Sequence, residues 1–468
     1  KMGFYCRVSN HKTSKALSLR RTLCYARLIY GVEISAFFVY NSGVMESGSF
    51  ENYRILLQFA WFTWWLWLPA VLFYAAWELW KAYLKIWYWK TLEWVLLEIR
   101  IPRETAKPPQ AMEQIFAGLH AIARPLDPDE KYWEGLQRDY LVFEFVGHGG
   151  ELHFFVNTPK KFRNMVEAQI YAQYPDSEIR EADDPARYLP EQIPNSEWTL
   201  FGAEWKLAKE NPYPIRTYRE FVLEEGTKEE VKVDPLSAVA EILSKLKLDE
   251  HIGIQLMIRP VLDDGWKKEG EKIVQKLVGK KVSKRAGTFE RIVGELSEVM
   301  MGPTEVLKKE EKVPETLMLH LTPGEKDVVA GIENKIAKLG WEAVIRFVYV
   351  ARRDLFDMVH FASVMGAMRQ FNTLNLNGFK LNSAALVGSK WYSFIKKMTK
   401  EHKRRAFYRY YRSRYPFSDI YIMKSKPIIL NTEELATIYH FPGVTVGAPS
   451  MPRLQARRAE PPAGLPVG

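Results

Sequence analysis

Ile55 to Trp77 reads ILLQFAWFTWWLWLPAVLFYAAW, 23 residues without a charge. As a helix this run would be about 34 Å long, against a hydrocarbon core of about 30 Å. Its ten Ile, Leu, Val and Phe residues favour insertion by about 3–6 kcal/mol, less the cost of Gln58 and Pro69. A core helix of this length normally carries a polar stripe, and none is visible here. The run is therefore expected to be a transmembrane helix over about 55–77, with Trp61, Trp64, Trp65, Trp67, Pro69 and Trp77 as its anchor residues. Trp80, Tyr83, Trp87, Tyr88 and Trp89 follow, mixed with Lys81, Lys85 and Lys90, in the manner of an interfacial belt. Those lysines place the C-terminal side in the cytoplasm. Residues 45–92 are read as the anchor of a single-pass protein of the cell membrane.

Charge is distributed unevenly. Of the net +10, residues 390–414 contribute +9 and residues 1–44 contribute +6, so the remainder carries −5. The basic N-terminal segment conflicts with the orientation just derived and holds both cysteines, Cys6 and Cys24. Met45 makes a natural start, so residues 1–44 are expected to be a doubtful or disordered extension. Two cysteines exclude a disulfide scaffold and a four-ligand zinc site built on thiols.

Beyond the anchor, hydrophobic patterning alternates between period two and period 3.6. EWVLLEIRIP reads as a strand and AMEQIFAGLHAI as a helix. DYLVFEFV and ELHFFVN flank Gly147-His148-Gly149-Gly150, a hairpin signal. KKFRNMVEAQIYAQY and SEIREA supply a second helix and a last strand. The same order recurs from WTLFGAEWKLA to WEAVIRFVYVA, interrupted by a charged stretch. The expected fold class is α+β: an N-terminal transmembrane helix followed by two ferredoxin-like β-α-β-β-α-β modules, at 93–184 and 196–371, the second with a helical insertion at about 265–312. Residues 372–425 read as a basic aromatic loop, 426–447 as a strand and helix, and 448–468 as a Pro-rich linker.

No GxxxxGK[ST], GxGxxG, HExxH, GxSxG or CxxC motif occurs. His148 and His153 could approach one metal, yet turn histidines explain them better. Asp183-Asp184 and Asp263-Asp264-Gly265 read as turns. No catalytic, cofactor or metal residue is assigned, and the chain is expected not to be an enzyme.

The run KWYSFIKKMTKEHKRRAFYRYYRSRYPF is the most suggestive segment. Its cations, Lys396, Lys397, Lys400, Lys403, Arg404, Arg405, Arg409, Arg412 and Arg414, are interleaved with aromatic residues including Tyr392, Phe394, Phe407, Tyr408, Tyr410, Tyr411 and Tyr415. That pairing suits single-stranded nucleic acid, which stacks its bases on rings and its phosphates on cations. It also suits an anionic lipid surface, or a solvated loop with no partner.

EWVLLEIRIPRE, PPQAMEQIFAGLHAI, ELHFFVNTPKKFRNMVEAQIYAQYPDSEI, YPIRTYREF, IQLMIRP and LNTEELATIYHFPG together resemble an uncharacterised bacterial region that precedes a P-loop motor of the HerA/FtsK type, the ATPase of type IV secretion or conjugative DNA transfer. The resemblance covers about residues 50–468. It implies a membrane-anchoring and assembly region for a hexameric DNA- or protein-translocating ATPase acting in cis or in trans. Lipid bilayer, that ATPase, DNA and further copies of the chain are the implied partners. The sequence stops at PPAGLPVG, where such a motor would begin, so no nucleotide-binding residue is carried over. The alternative is a stand-alone membrane-tethered nucleic-acid-binding protein.

Overall fold

A computed structural model of the protein describes residues 58, 61–102, 107–221, 234–278, 321–382, 396–415 and 426–442. The expectations for residues 1–44, for 279–312 of the insertion and for the 448–468 linker lie outside these. The chain divides into two compact units, Lys1–Glu78 and Leu79–Gly468.

Helix α1, Trp64–Thr91, runs through the boundary and contains Pro69. No helix among the described residues is long and apolar enough to cross a membrane, so the expected transmembrane helix is corrected. Composition explains why. Ten of its 28 residues are Trp or Tyr, whose N–H and O–H groups favour the membrane–water interface over hydrocarbon. Glu78, Lys81, Lys85 and Lys90 then put charge into its C-terminal half.

The second unit is organised by one sheet. Its elements are β1 (Trp94–Arg100), α2 (Gln110–Leu119), β2 (Leu141–His148), β3 (Glu151–Pro159), α3 (Arg163–Gln173) and β4 (Glu178–Glu181). The second half follows with β5 (Trp198–Leu207), α4 (Ser237–Ser244), β6 (Glu250–Pro260), α5 (Gly265–Leu277), α6 (Pro323–Ile336), β7 (Gly340–Arg352), α7 (Met358–Arg369) and β8 (Phe379–Leu381). The chain then forms α8 (Lys396–Ser413), β9 (Ile428–Asn431) and α9 (Thr432–Ile438).

The strand order is β4-β1-β3-β2-β6-β7-β5-β8, with β9 on β7. All pairings are antiparallel. This corrects the expectation of a transmembrane helix followed by two separate ferredoxin-like modules. β2 and β6 pair from Leu141↔Ile258 to His148↔His251, so the two halves form one nine-stranded sheet with no edge between them. Leaving that seam unpaired would expose two rows of backbone donors and acceptors.

Side-chain alternation along the strands sorts the sheet into two faces. Leu141, Phe143 and Phe145 of β2, Ile252, Ile254 and Leu256 of β6, and Ile345, Phe347 and Tyr349 of β7 belong to one core. Residues of α2, α3, α4, α7 and α9 complete that core. The opposite face carries Leu200, Val348 and Val350, packed with Ala186, Leu189, Ile193 and three residues of α8. Both faces are covered, which is why the central strands read as almost continuously apolar. The expected loop over 372–425 is corrected as well, since it contains β8 and the 18-residue α8. Met, Lys, Glu, Arg and Ala are good helix formers, and Phe407, Tyr408 and Tyr411 put three rings on one side of the helix.

A buried polar row and the helix clamped upon it

Four polar side chains interrupt the apolar central strands: Glu144 on β2, Gln255 on β6, Arg346 on β7 and Glu204 on β5. Register places them directly opposite one another, Glu144↔Gln255, Gln255↔Arg346 and Arg346↔Glu204. They form a transverse row on the face that α8 covers. Each is at most 2 % exposed. Buried charges persist only when paired and hydrogen-bonded, and these are. Arg346 Nε donates to Glu204 Oε1 at 3.0 Å, and Gln255 Nε2 donates to Glu144 Oε1 at 3.1 Å.

The row also holds the end of α8. Gln255 Nε2 donates to the Tyr411 carbonyl at 3.0 Å. Arg346 Nη1 donates to the Tyr410 carbonyl at 2.9 Å, and Nη2 to that of Tyr415 at 3.2 Å. These carbonyls lie at the helix C-terminus, where partners are missing and the dipole favours a cation. Arg414 completes the clamp from a left-handed backbone position, φ 52°. Its Nε lies 2.6 Å from Glu144 Oε1, and its two terminal nitrogens grip Asp184 at 2.8 and 2.9 Å. Burial opposes the Arg414 charge, but Glu144 and Asp184 outweigh it and hold the guanidinium protonated. Burial also works against Asp184, yet the Arg414 hydrogen bonds and charge keep its carboxyl below the usual range. Burial pushes Glu144 up, against the pull of Arg414.

Two glycines seat the aromatic side of α8. A Cβ at Gly202 would run into the Phe407 ring, and one at Gly253 into Tyr411. The Tyr411 hydroxyl lies 2.7 Å from His251 Nε2. Burial, then the nearby His148, hold His251 down at about 3, so this ring is neutral and the phenol donates to it.

The nine cations singled out from the sequence thus have different fates. Arg414 is a structural ion pair. Arg404 is half-buried, with Nη1 3.2 Å from Thr199 Oγ1. Arg412 lies over the Tyr408 ring at 5.9 Å. Lys403 is intermediate, and Arg405 and Arg409 are exposed. Lys396, Lys397 and Lys400 lie in the first turns of α8, but their side chains, like Tyr392 and Phe394, fall outside the described residues. Phe407, Tyr408 and Tyr411 are at most 2 % exposed, so they are not available to stack on bases.

The residues expected in the anchor are on the surface. Trp61, Trp64, Trp65 and Trp67 are 81, 52, 63 and 44 % exposed. Pro69 is exposed and Trp77 intermediate. Further along α1, Leu84 is buried and the Trp89 indole donates to the Tyr140 hydroxyl at 3.2 Å.

Among the described residues no group of three or more His, Cys, Asp or Glu could hold a metal. His153 is instead bound to Glu98 at 2.8 Å, and His148 lies opposite His251 across β2 and β6. Asp263 accepts from the Gly265 backbone at the start of α5, and Asp184 from Ala186, as turn residues do.

Sequence reasoning misses the polar row, although a signal is present. A Glu, Gln or Arg flanked on both sides by apolar residues, as in VFEFV, GIQLM, GAEW and VIRFV, marks a buried partner rather than a solvent face.

No curated protein matches the chain. A family model described as a domain of unknown function, DUF8128, matches residues 83–451. That span takes in every strand of the sheet, the polar row and α8. The chain belongs to the DUF8128 family, a domain of unknown function.

Proposed function

We propose that this chain is a non-catalytic docking and assembly module that binds the interfacial layer of a lipid membrane through α1. Its cargo there would be the P-loop translocation ATPase to which its sequence resemblance points. One observation carries the reading. Fifteen of the 25 large apolar side chains exposed among the described residues lie between Trp61 and Trp87. A run of exposed apolar side chains of this kind marks an interaction site. Its Trp and Tyr content suits the headgroup boundary, where a ring body is buried and a polar tip stays wet. The helix is read as lying in that layer.

The test is co-sedimentation of the full chain with liposomes, read together with tryptophan fluorescence. The wild type should partition into the pellet with a blue-shifted emission. Replacing Trp64, Trp65 and Trp67 together by Ser should weaken partitioning about a hundredfold, as expected when about 3 kcal/mol of burial is lost. Equal partitioning of wild type and variant would sink the proposal.

A second reading, nucleic-acid binding, draws on the exposed Arg405 and Arg409. With Phe407, Tyr408 and Tyr411 buried, it would rest on phosphate contacts alone. Salt dependence should then be steep and base preference absent.

A further inference from the structure

The guanidinium groups of the central sheet and its clamp are matched to carboxylates: Arg346 to Glu204, Arg414 to Glu144 and Asp184, Arg138 and Arg259 to Glu342. Arg404 breaks the pattern. It is half-buried, and its one hydrogen-bond partner among the described residues is the Thr199 hydroxyl, at 3.2 Å. Its Nε is closed off from solvent and has no partner among the described residues. No carboxylate of a described residue lies within ion-pair distance of it. Residues 383–395, which precede its helix, contain no Asp or Glu.

A second cation stands beside it. Arg353 follows the end of β7, where its backbone N–H donates to the Glu197 carbonyl at 2.7 Å. Its Nε and Nη2 both donate to the Asn195 carbonyl, at 3.0 and 2.8 Å. That fixes the side chain without neutralising it. Burial first, then the charge of Arg353, weaken the hold of Arg404 on its proton, and Glu401 offsets them only in part. Thr199 pairs with Ala351 of β7, two residues before Arg353, so the β5–β7 pairing brings Arg353 to the same end of the sheet as the buried Thr199 hydroxyl, which accepts from Arg404 and still has its own proton to give. An unsatisfied buried donor is costly, the more so when it is charged. Fixing two like charges together adds to that cost.

We infer that Arg404, Arg353 and Thr199 form a binding site for a terminal phosphate group, on a lipid headgroup or free. A phosphate dianion would neutralise both cations, accepting from their terminal guanidinium nitrogens rather than from the enclosed Nε. Guanidinium is the side chain best matched to phosphate by its fork of donors. A terminal phosphate fits better than the backbone of a nucleic acid, whose diesters carry a single charge each and need a continuous cationic track. The rings that would line such a track, Phe407, Tyr408 and Tyr411, face the sheet instead.

The site does not depend on the lipid role of α1, and the experiment separates the two. Thermal unfolding of the full chain is followed in sodium phosphate and in sodium chloride of equal ionic strength. Phosphate should raise the melting temperature of the wild type and of the Trp64, Trp65 and Trp67 triple-Ser variant alike. Arg404→Gln should abolish that rise or weaken phosphate affinity about tenfold. Arg405→Gln, which removes the same charge from an exposed position, should retain it. Should Arg404→Gln not fold, Arg353→Gln gives the same reading from an exposed side chain. Vesicles containing a phosphatidylinositol phosphate, tested with the triple-Ser chain, identify the source. Binding that inorganic phosphate displaces points to a headgroup, and a phosphate response without vesicle binding points to a free ligand. An equal phosphate response in wild type and Arg404→Gln, or none in the wild type, overturns the site. So does duplex DNA binding that Arg404→Gln abolishes while phosphate has no effect.

Discussion

Helices α1 and α8 invert what their compositions suggest. The first is the most apolar segment of the chain, and its Trp65, Leu66, Phe73 and Leu79 side chains are more than 60 % exposed. The second is the most basic, yet Phe407, Tyr408, Tyr411 and Arg414 are buried beneath it. The difference lies in what faces each helix. α8 meets a sheet that has glycines where its rings must sit and a polar row where its carbonyls end. The side chains of α1 from Trp64 to Phe73 are exposed, apart from the half-buried Leu68. Burial follows complementarity, not hydropathy alone.

The contrast is most severely tested at the clamp. Arg414→Met would leave Glu144 buried without its cation, which costs about 3–5 kcal/mol. The urea midpoint should fall accordingly, and adding Glu144→Leu should restore much of it. A midpoint unchanged by the single substitution would mean that Arg414 is a surface cation after all. Next comes the seat itself. Gly253→Ala places a methyl against Tyr411 and should cost about 1–3 kcal/mol by overpacking.

The neutral His251 makes the same face sensitive to acid. Its folded pKa is about 3, against 6.5 for the unperturbed group, so between those values the unfolded chain binds the extra proton. Stability should therefore fall as pH drops below 6.5, by up to about 1.4 kcal/mol per pH unit from this group. His251→Gln should flatten that part of a stability-against-pH curve, and an unaltered slope would contradict the buried neutral ring. The smallest effect is expected on α1. Trp65→Ser should shift stability by no more than about 0.5 kcal/mol, as exposed substitutions do. A loss of several kcal/mol would show that the α1 surface is covered.

Much of the architecture is legible in the residue pattern alone. Period-two alternation in DYLVFEFV and ELHFFVN gives β2 and β3, and the Gly149-Gly150 turn between them adopts positive φ at both residues. Asn431 caps α9 in a reciprocal box with Glu434. These are local rules, satisfied within a few residues. The seam between β2 and β6 is not legible, because nothing in either strand names its neighbour. Nor is the fate of the basic segment. Arg404 and Arg414 have the same side chain, ten residues apart, and the sequence treats them alike. One is neutralised by Glu144 and Asp184 while the other has no acidic partner among the described residues.

The sequence by itself determined where the strands and helices between β1 and α7 form, because hydrophobic period, turn glycines and caps act over one or two turns of chain. It also determined that one helix would be rich in aromatic residues, and that a later segment, read as a loop, would be rich in cations. Only the tertiary structure decided which of those side chains meet solvent. Arg414 and Glu144 are 270 residues apart, and a charge becomes part of a core only when folding brings such a distant partner to it.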